Sequence, residues 1–122
     1  MSRDYFLEAA TPLTARHFTA VRNWFASACG IAVHLEDHST WFLFRDRAER
    51  QRRLKSWQDN PQKNDYLTSF VVVLPEGLTL SLGGDDVDRA AVALAEWWLL
   101  HFGGRLLDCG LEITPRDMMP DV

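Results

Sequence analysis

The chain has 122 residues, of which 47% are hydrophobic and 25% charged, and its formal net charge is −4 at pH 7. This length and composition predict a single globular domain spanning 1–122, and they exclude an intrinsically disordered chain. The longest apolar runs, such as 70–74, are far too short to span a bilayer, and the first residues lack the apolar core of a signal peptide, so we expect a cytoplasmic protein that has no membrane partner.

The first part of the chain predicts a strand, a helix and two further strands. Residues 5–8 are typical of a short strand, and Pro12 and Thr14 then favour the start of a helix. Gly30 is placed to end this helix. The apolar residues that recur at helical spacing within it are Phe18, Val21, Phe25 and Ala28. Alternation over 31–35 and the apolar run 40–44 predict two strands, the second in the interior of a sheet.

The second part of the chain predicts a hairpin, a long helix and a last strand. Pro75-Glu76-Gly77 separates two β-rich runs and predicts the hairpin turn. In the helix that follows, 87–102, we expect Trp98 to be buried and Trp97 to lie at the margin. Residues 105–114 predict one strand that is bulged at Gly110.

Together these elements predict the α+β class. The order is β-α-β-β-(short α)-β-β-α-β, which favours an antiparallel sheet of about five to six strands with two long helices packed on one face.

The stretch Gly83-Gly84-Asp85-Asp86 resembles the Gly-Asp signatures of diguanylate cyclases and some polymerase palms. In those families the carboxylates hold divalent metal on a β-hairpin, and a second strand follows them. Here a helical pattern follows instead. We therefore expect Asp85 or Asp86 to cap the helix rather than to bind metal.

The other signals for catalysis or metal binding are weak. His34 and His38 have the spacing of helical zinc ligands but start in a predicted strand, where residues four apart lie about 13 Å from one another. Cys29 and Cys109 are interpreted as buried free thiols rather than as a disulfide. No phosphate loop, nucleophile elbow, CxxC or HExxH pattern is present. The sequence thus predicts no catalytic residues, no metal site and no cofactor.

One segment, 45–63, is strongly basic. It holds seven of the thirteen Lys and Arg residues and three of the seventeen acids, so it carries +4 while the rest of the chain carries −8. Asp46 and Glu49 have the spacing of a capping box, which predicts a short helix from Arg47 to about Trp57. The helix is either a solvated connector or a recognition element, because Arg and Trp are enriched at binding hot spots. The candidate partner-binding residues are Arg47, Arg50, Arg53 and Trp57 on this helix and Asp85 and Asp86 on an acidic surface.

The net charge of −4 disfavours nucleic acid as the partner and favours a protein. As a single acidic, aromatic-rich domain without a catalytic motif, the chain resembles bacterial immunity proteins of polymorphic-toxin systems. The resemblance implies a non-enzymatic inhibitor that neutralises a cognate toxin by direct binding, through either the basic helix or the acidic surface. The alternative is a small enzyme or ligand-binding domain with a pocket between sheet and helices, lined by His17, Trp24, Trp97 and His101.

Overall fold

The computed structural model describes residues 2–27, 32–34, 40–44, 46–60, 69–83 and 88–119. Its strands are β1 (Ser2–Glu8), β2 (Ala32–His34), β3 (Thr40–Leu43), β4 (Phe70–Leu74), β5 (Gly77–Gly83), β6 (Arg105–Asp108) and β7 (Leu111–Ile113). Its helices are α1 (Ala15–Ser27), α2 (Arg47–Asp59), α3 (Asp88–Phe102) and a short 3-10 helix, Pro115–Met118. The α+β class and the predicted order of elements through α3 are confirmed.

The described strands form one antiparallel sheet in the order β2-β3-β4-β5-β1-β6-β7. The interior strand β1 pairs with β5 and β6, so that Tyr5 lies opposite Leu80, and Leu7 lies between Leu78 and Leu106. Because antiparallel partners point to the same side of a sheet, these residues share one face. All of them are buried, and this face of the sheet therefore forms one side of the hydrophobic core.

Helices α1 and α3 supply the other side of that core. On α3, Ala91, Leu94 and Trp98 recur at helical spacing and are fully buried, whereas Trp97 is only partly buried. This confirms the predicted orientation of the two adjacent tryptophans. On α1 the prediction is partly wrong: Val21 and Phe25 are buried, but Phe18, which has the same spacing, is 39% exposed.

The hairpin between β4 and β5 is confirmed, with Pro75 and Glu76 as its two-residue turn. Gly77, the first residue of β5, faces the backbone of β1. A Cβ atom at this position would overlap the carbonyl oxygen of Leu7, and the φ of Gly77 is 154°. Glycine is therefore required here by the close approach of the neighbouring strand.

The prediction of one bulged strand after α3 is wrong. Cys109 and Gly110 form a two-residue turn that joins β6 to β7, and Asp108 lies opposite Leu111 across it. Both turn residues have positive φ, 51° and 85°, as a type I′ turn requires. The sheet gains a seventh strand in this way, and the thiol of Cys109 is exposed rather than buried.

The second face of the sheet also carries apolar side chains. Phe42 lies opposite Phe70, and Phe6 lies opposite Leu107. These four side chains are partly buried and belong to the face that points away from α1 and α3. Among the described helices, none combines the length and the apolar character that a membrane crossing would need.

Candidate functional site

Helix α2 connects β3 to β4 and begins as the sequence predicts. Asp46 is its N-cap, with extended backbone, and the Oδ1 atom of Asp46 accepts the backbone N–H of Glu49 at 2.8 Å. This side-chain acceptor satisfies one of the backbone donors left over at the start of a helix. The helix runs to Asp59, two residues beyond the predicted end, and the N–H of Asn60 then donates to the carbonyl of Ser56 at 3.0 Å.

One side of α2 is turned toward the protein. Glu49 is buried, with 5% of its side chain exposed, and its Oε1 lies 3.8 Å from Nε of Arg53, whose side chain is 19% exposed. Arg50 and Leu54 are partly buried on the same side, and Nε of Arg50 is removed from solvent. These positions follow the one-turn spacing of a helix. The structure thus places Arg50 and Arg53, two of the predicted contact residues, on the inner side of α2.

The opposite side of α2 is exposed along its whole length. Its members are Arg47, Ala48, Gln51, Arg52, Lys55, Ser56, Gln58 and Asp59, which we call the outer face of α2. At about 100° per residue, its three cations Arg47, Arg52 and Lys55 lie within a sector of about 140°. The outer face is therefore a continuous polar surface with three positive charges and one negative charge.

Sequence reasoning identified Arg47 but missed Arg52 and Lys55. The position of Leu54, a large apolar residue of the segment, could have indicated Arg52. A helix buries its apolar side first, and Arg52 lies about 160° from Leu54 around the helix, so it points outward. The same signal does not identify Lys55, which lies about 100° from Leu54, and Arg47 is exposed although it lies only about 20° away. The side chain of Trp57 lies outside the described part of the structure, as do residues Asp85 and Asp86.

The histidines of α1 and α3 each form a hydrogen bond with the backbone near one end of their own helix. Nδ1 of His17 accepts the backbone N–H of Thr14 at 3.0 Å, the role that Glu plays in a capping box. Nδ1 of His101 donates to the carbonyl of Trp97 at 2.9 Å, near the end of α3. A carbonyl oxygen only accepts hydrogen bonds, so this contact places a proton on Nδ1 of His101.

The four residues of the alternative pocket come together in one aromatic cluster between α1 and α3. The ring centroids of Trp24 and Trp97 are 5.8 Å apart, and those of Trp97 and His101 are 5.5 Å apart. Phe102 joins His17 to this group, at 4.6 Å from His17 and 5.6 Å from Trp97. The sequence placed these residues on two helices, and the structure brings their rings into contact.

Within the described ranges, no three His, Cys, Asp or Glu side chains converge as metal ligands. His34 has its backbone in β2, but its side chain, His38, Cys29 and residues 84–87 lie outside the described residues. Helical structure from Asp88 onward confirms that a helix follows the Gly-Gly-Asp-Asp stretch. Which aspartate caps that helix stays a prediction.

Comparisons with protein-family models, with curated proteins and with solved structures found no match to this chain. The features that bear on function are therefore those of the molecule itself. Two stand out in the described part: the outer face of α2, which is polar and cationic, and the aromatic cluster between α1 and α3. The first is suited to binding a charged surface, and the second to packing two helices or holding a ring-shaped ligand.

Proposed function

We propose that the protein is a non-enzymatic protein-binding domain, an immunity protein that neutralises a cognate bacterial toxin by direct binding in the cytoplasm. The observation that supports this proposal is the outer face of α2, where Arg47, Arg52 and Lys55 are exposed along one side of the helix. Arginine is enriched at binding hot spots, and a surface carried by a helix with a fixed N-cap loses little conformational freedom on binding.

The two described imidazoles have a structural role. His17 and His101 form hydrogen bonds through their Nδ1 atoms with the backbone at the ends of α1 and α3. These hydrogen bonds contribute to the stability of the two helices.

Co-expression tests the proposal, because an immunity gene is expected to follow its toxin gene. The product of the gene directly upstream is expressed in a bacterial host with and without this protein. We expect growth arrest by the upstream product alone, rescue by the present protein, and a stoichiometric complex in size-exclusion chromatography. Growth arrest that persists despite soluble expression of both proteins, or rescue without a complex, would contradict the proposal.

The aromatic cluster supports a second candidate, a small enzyme or ligand-binding domain. Its support is the contact of Trp24, Trp97, His101 and, through Phe102, His17 in one group of rings. Ligand-observed NMR with a set of small aromatic compounds tests it. Compounds that bind the wild type and Arg52→Glu but not Trp97→Ala favour this candidate, and the absence of binding at millimolar concentration removes it.

A further inference from the structure

We infer that the outer face of α2 binds an acidic, polar protein surface. The inference rests on the proposed function and names the chemistry of the partner. It also chooses between the two contact surfaces that the sequence left open, the basic helix and the acidic remainder of the chain.

The side chains of the outer face determine what kind of surface can bind there. Its one apolar residue is Ala48, the amide of Gln51 lies between Arg47 and Arg52, and the amide of Gln58 follows the last cation. Burying this face against an apolar surface would remove charges from water without compensation, which is unfavourable. Carboxylates on the partner would pair with the guanidinium and ammonium groups, and amides would satisfy the remaining hydrogen bonds. The complementary surface is therefore acidic and polar.

The spacing of the cations fits several carboxylates rather than one. At about 1.5 Å per residue, Arg47 and Arg52 are about 7.5 Å apart along the helix axis, and Arg47 and Lys55 are about 12 Å apart. Three separate cations along one side can pair with acidic groups spread over a flat surface or a shallow groove. Asp59, at the end of the outer face, limits the region where an acidic partner can bind, because it repels a carboxylate placed against it.

The inner side of α2 holds the outer face in place. Asp46 caps the helix, and Glu49 is buried beside Arg53. A helix that is fixed on one side presents the other side in a defined orientation before binding, which lowers the entropy lost in the complex. The two sides thus have different roles, and Arg50 and Arg53 belong to the inner one.

The charge of the remaining surface favours a protein over a nucleic acid as the acidic partner. The chain has a net charge of −4, and exposed acids outside α2 include Asp4, Glu76, Glu96 and Glu112. Nucleic-acid binding depends on many phosphate contacts over an extended surface, and the net negative charge outside α2 disfavours such contacts. A protein surface can be acidic opposite α2 and neutral or basic beyond it.

The test compares two variants of the full chain that have the same change in net charge. Arg52→Glu with Lys55→Glu reverses the outer face of α2, and Arg16→Glu with Arg22→Glu reverses two exposed arginines on α1. Circular dichroism and thermal unfolding confirm that each protein is folded. If the first variant fails to fold, Arg52→Gln with Lys55→Gln replaces it.

A short poly-glutamate peptide, which can lie on the outer face of α2 alone, and a DNA duplex serve as probes, and two-dimensional NMR at low salt reports where each one binds. We expect poly-glutamate to shift the amide signals of the outer face, and its affinity to fall by about tenfold or more in the α2 variant and little in the α1 variant. Added salt should weaken binding. Equal losses in both variants, or a duplex that binds α2 more tightly than poly-glutamate does, would overturn the inference.

The co-expression assay separates this inference from the proposed function. If the α2 variant still protects cells from the upstream gene product, the toxin-neutralising function stands and the role of α2 is wrong. If the wild type gives no protection but poly-glutamate binds at the outer face of α2, the acidic-partner inference stands and the toxin proposal fails. Loss of protection in the α2 variant alone supports both.

Discussion

The ring of Phe25 stacks on the ring of Trp41, with their centroids 4.7 Å apart and an angle of 19° between their planes. Phe25 lies on α1 and Trp41 on β3, so this contact joins a helix to the side of the sheet farthest from β7. Both side chains are at least nine-tenths buried. The stack is therefore a direct link between α1 and the sheet.

We expect Phe25→Ala to lower the free energy of unfolding by about 3–5 kcal/mol, because it removes a buried aromatic ring and leaves a cavity beside Trp41. Phe18→Ala is the matched control, since Phe18 lies two turns earlier on α1 and is 39% exposed. It should cost much less. Urea unfolding followed by tryptophan fluorescence measures both, and similar losses would show that α1 does not pack through Phe25.

The adjacent tryptophans of α3 should respond very differently to truncation. Trp98 is fully buried in the core and Trp97 is partly exposed in the aromatic cluster. Trp98→Ala should destabilise the protein by about 3–5 kcal/mol, and Trp97→Ala by clearly less, because less apolar area leaves water at that position. Thermal unfolding of the two variants measures both losses of stability. A larger loss in Trp97→Ala than in Trp98→Ala would contradict this description of the core.

The turn between β6 and β7 offers a stabilising substitution. Cys109 has a φ of 51°, a left-handed conformation that Asn and Gly adopt more readily than Cys. Cys109→Asn should raise the free energy of unfolding by about 0.5–1 kcal/mol, whereas Cys109→Val should lower it, because β-branched residues are strongly disfavoured at positive φ. Thermal unfolding in the presence of a reducing agent avoids effects of thiol oxidation. A stabilised Val variant would contradict this turn geometry.

Asp117 should make stability depend on pH in the acidic range. The backbone N–H of Thr114 donates to its carboxylate at 2.8 Å, the Thr114 hydroxyl donates at 2.9 Å, and these bonds lower the pKa of Asp117 below its ordinary value. A carboxyl whose pKa is lowered by folding stabilises the native state above the unfolded-state pKa, and loses that effect as the pH falls through the folded-state pKa.

Asp117→Asn should therefore be less stable than the wild type at neutral pH, and the difference should disappear in strong acid. Denaturant unfolding across the acidic range measures the difference. NMR titration of the Asp117 carboxyl provides a direct check. Titration at the ordinary value for aspartate, about 3.9, would show that the Thr114 contact does not persist in solution.

The sequence correctly predicted the elements whose local residue patterns match the structure that they adopt in the fold. The spacing of Leu94 and Trp98 predicted the buried side of α3, and Pro75 predicted the β4–β5 turn. It missed the β6–β7 turn because Cys-Gly lacks the Asn-Gly or Asp-Gly signature of type I′ turns. In this hairpin, the pairing of Leu106 on β6 with Ile113 on β7 outweighs the preference of Cys109 for a negative φ.

The candidate site was predicted only in part, for a different reason. The segment around α2 was recognised from its charge, which the sequence gives directly. The orientation of α2 depends on which side of this nearly all-polar helix is buried. Glu49 is buried there, although acidic residues are rarely buried, so the sequence does not predict this side. The charge pattern therefore indicates Arg50 and Arg53 as contact residues, whereas the structure exposes Arg52 and Lys55 instead.

The position of β1 between β5 and β6 has a consequence for the folding of the chain. Tyr5 pairs with Leu80, and Leu7 with Leu106, so β1 pairs with strands that are synthesised much later than itself. Pairings between residues this far apart in sequence are slow to form. Until β6 has paired with it, β1 has an open edge with unpaired backbone groups, and this edge can pair with another chain and lead to aggregation.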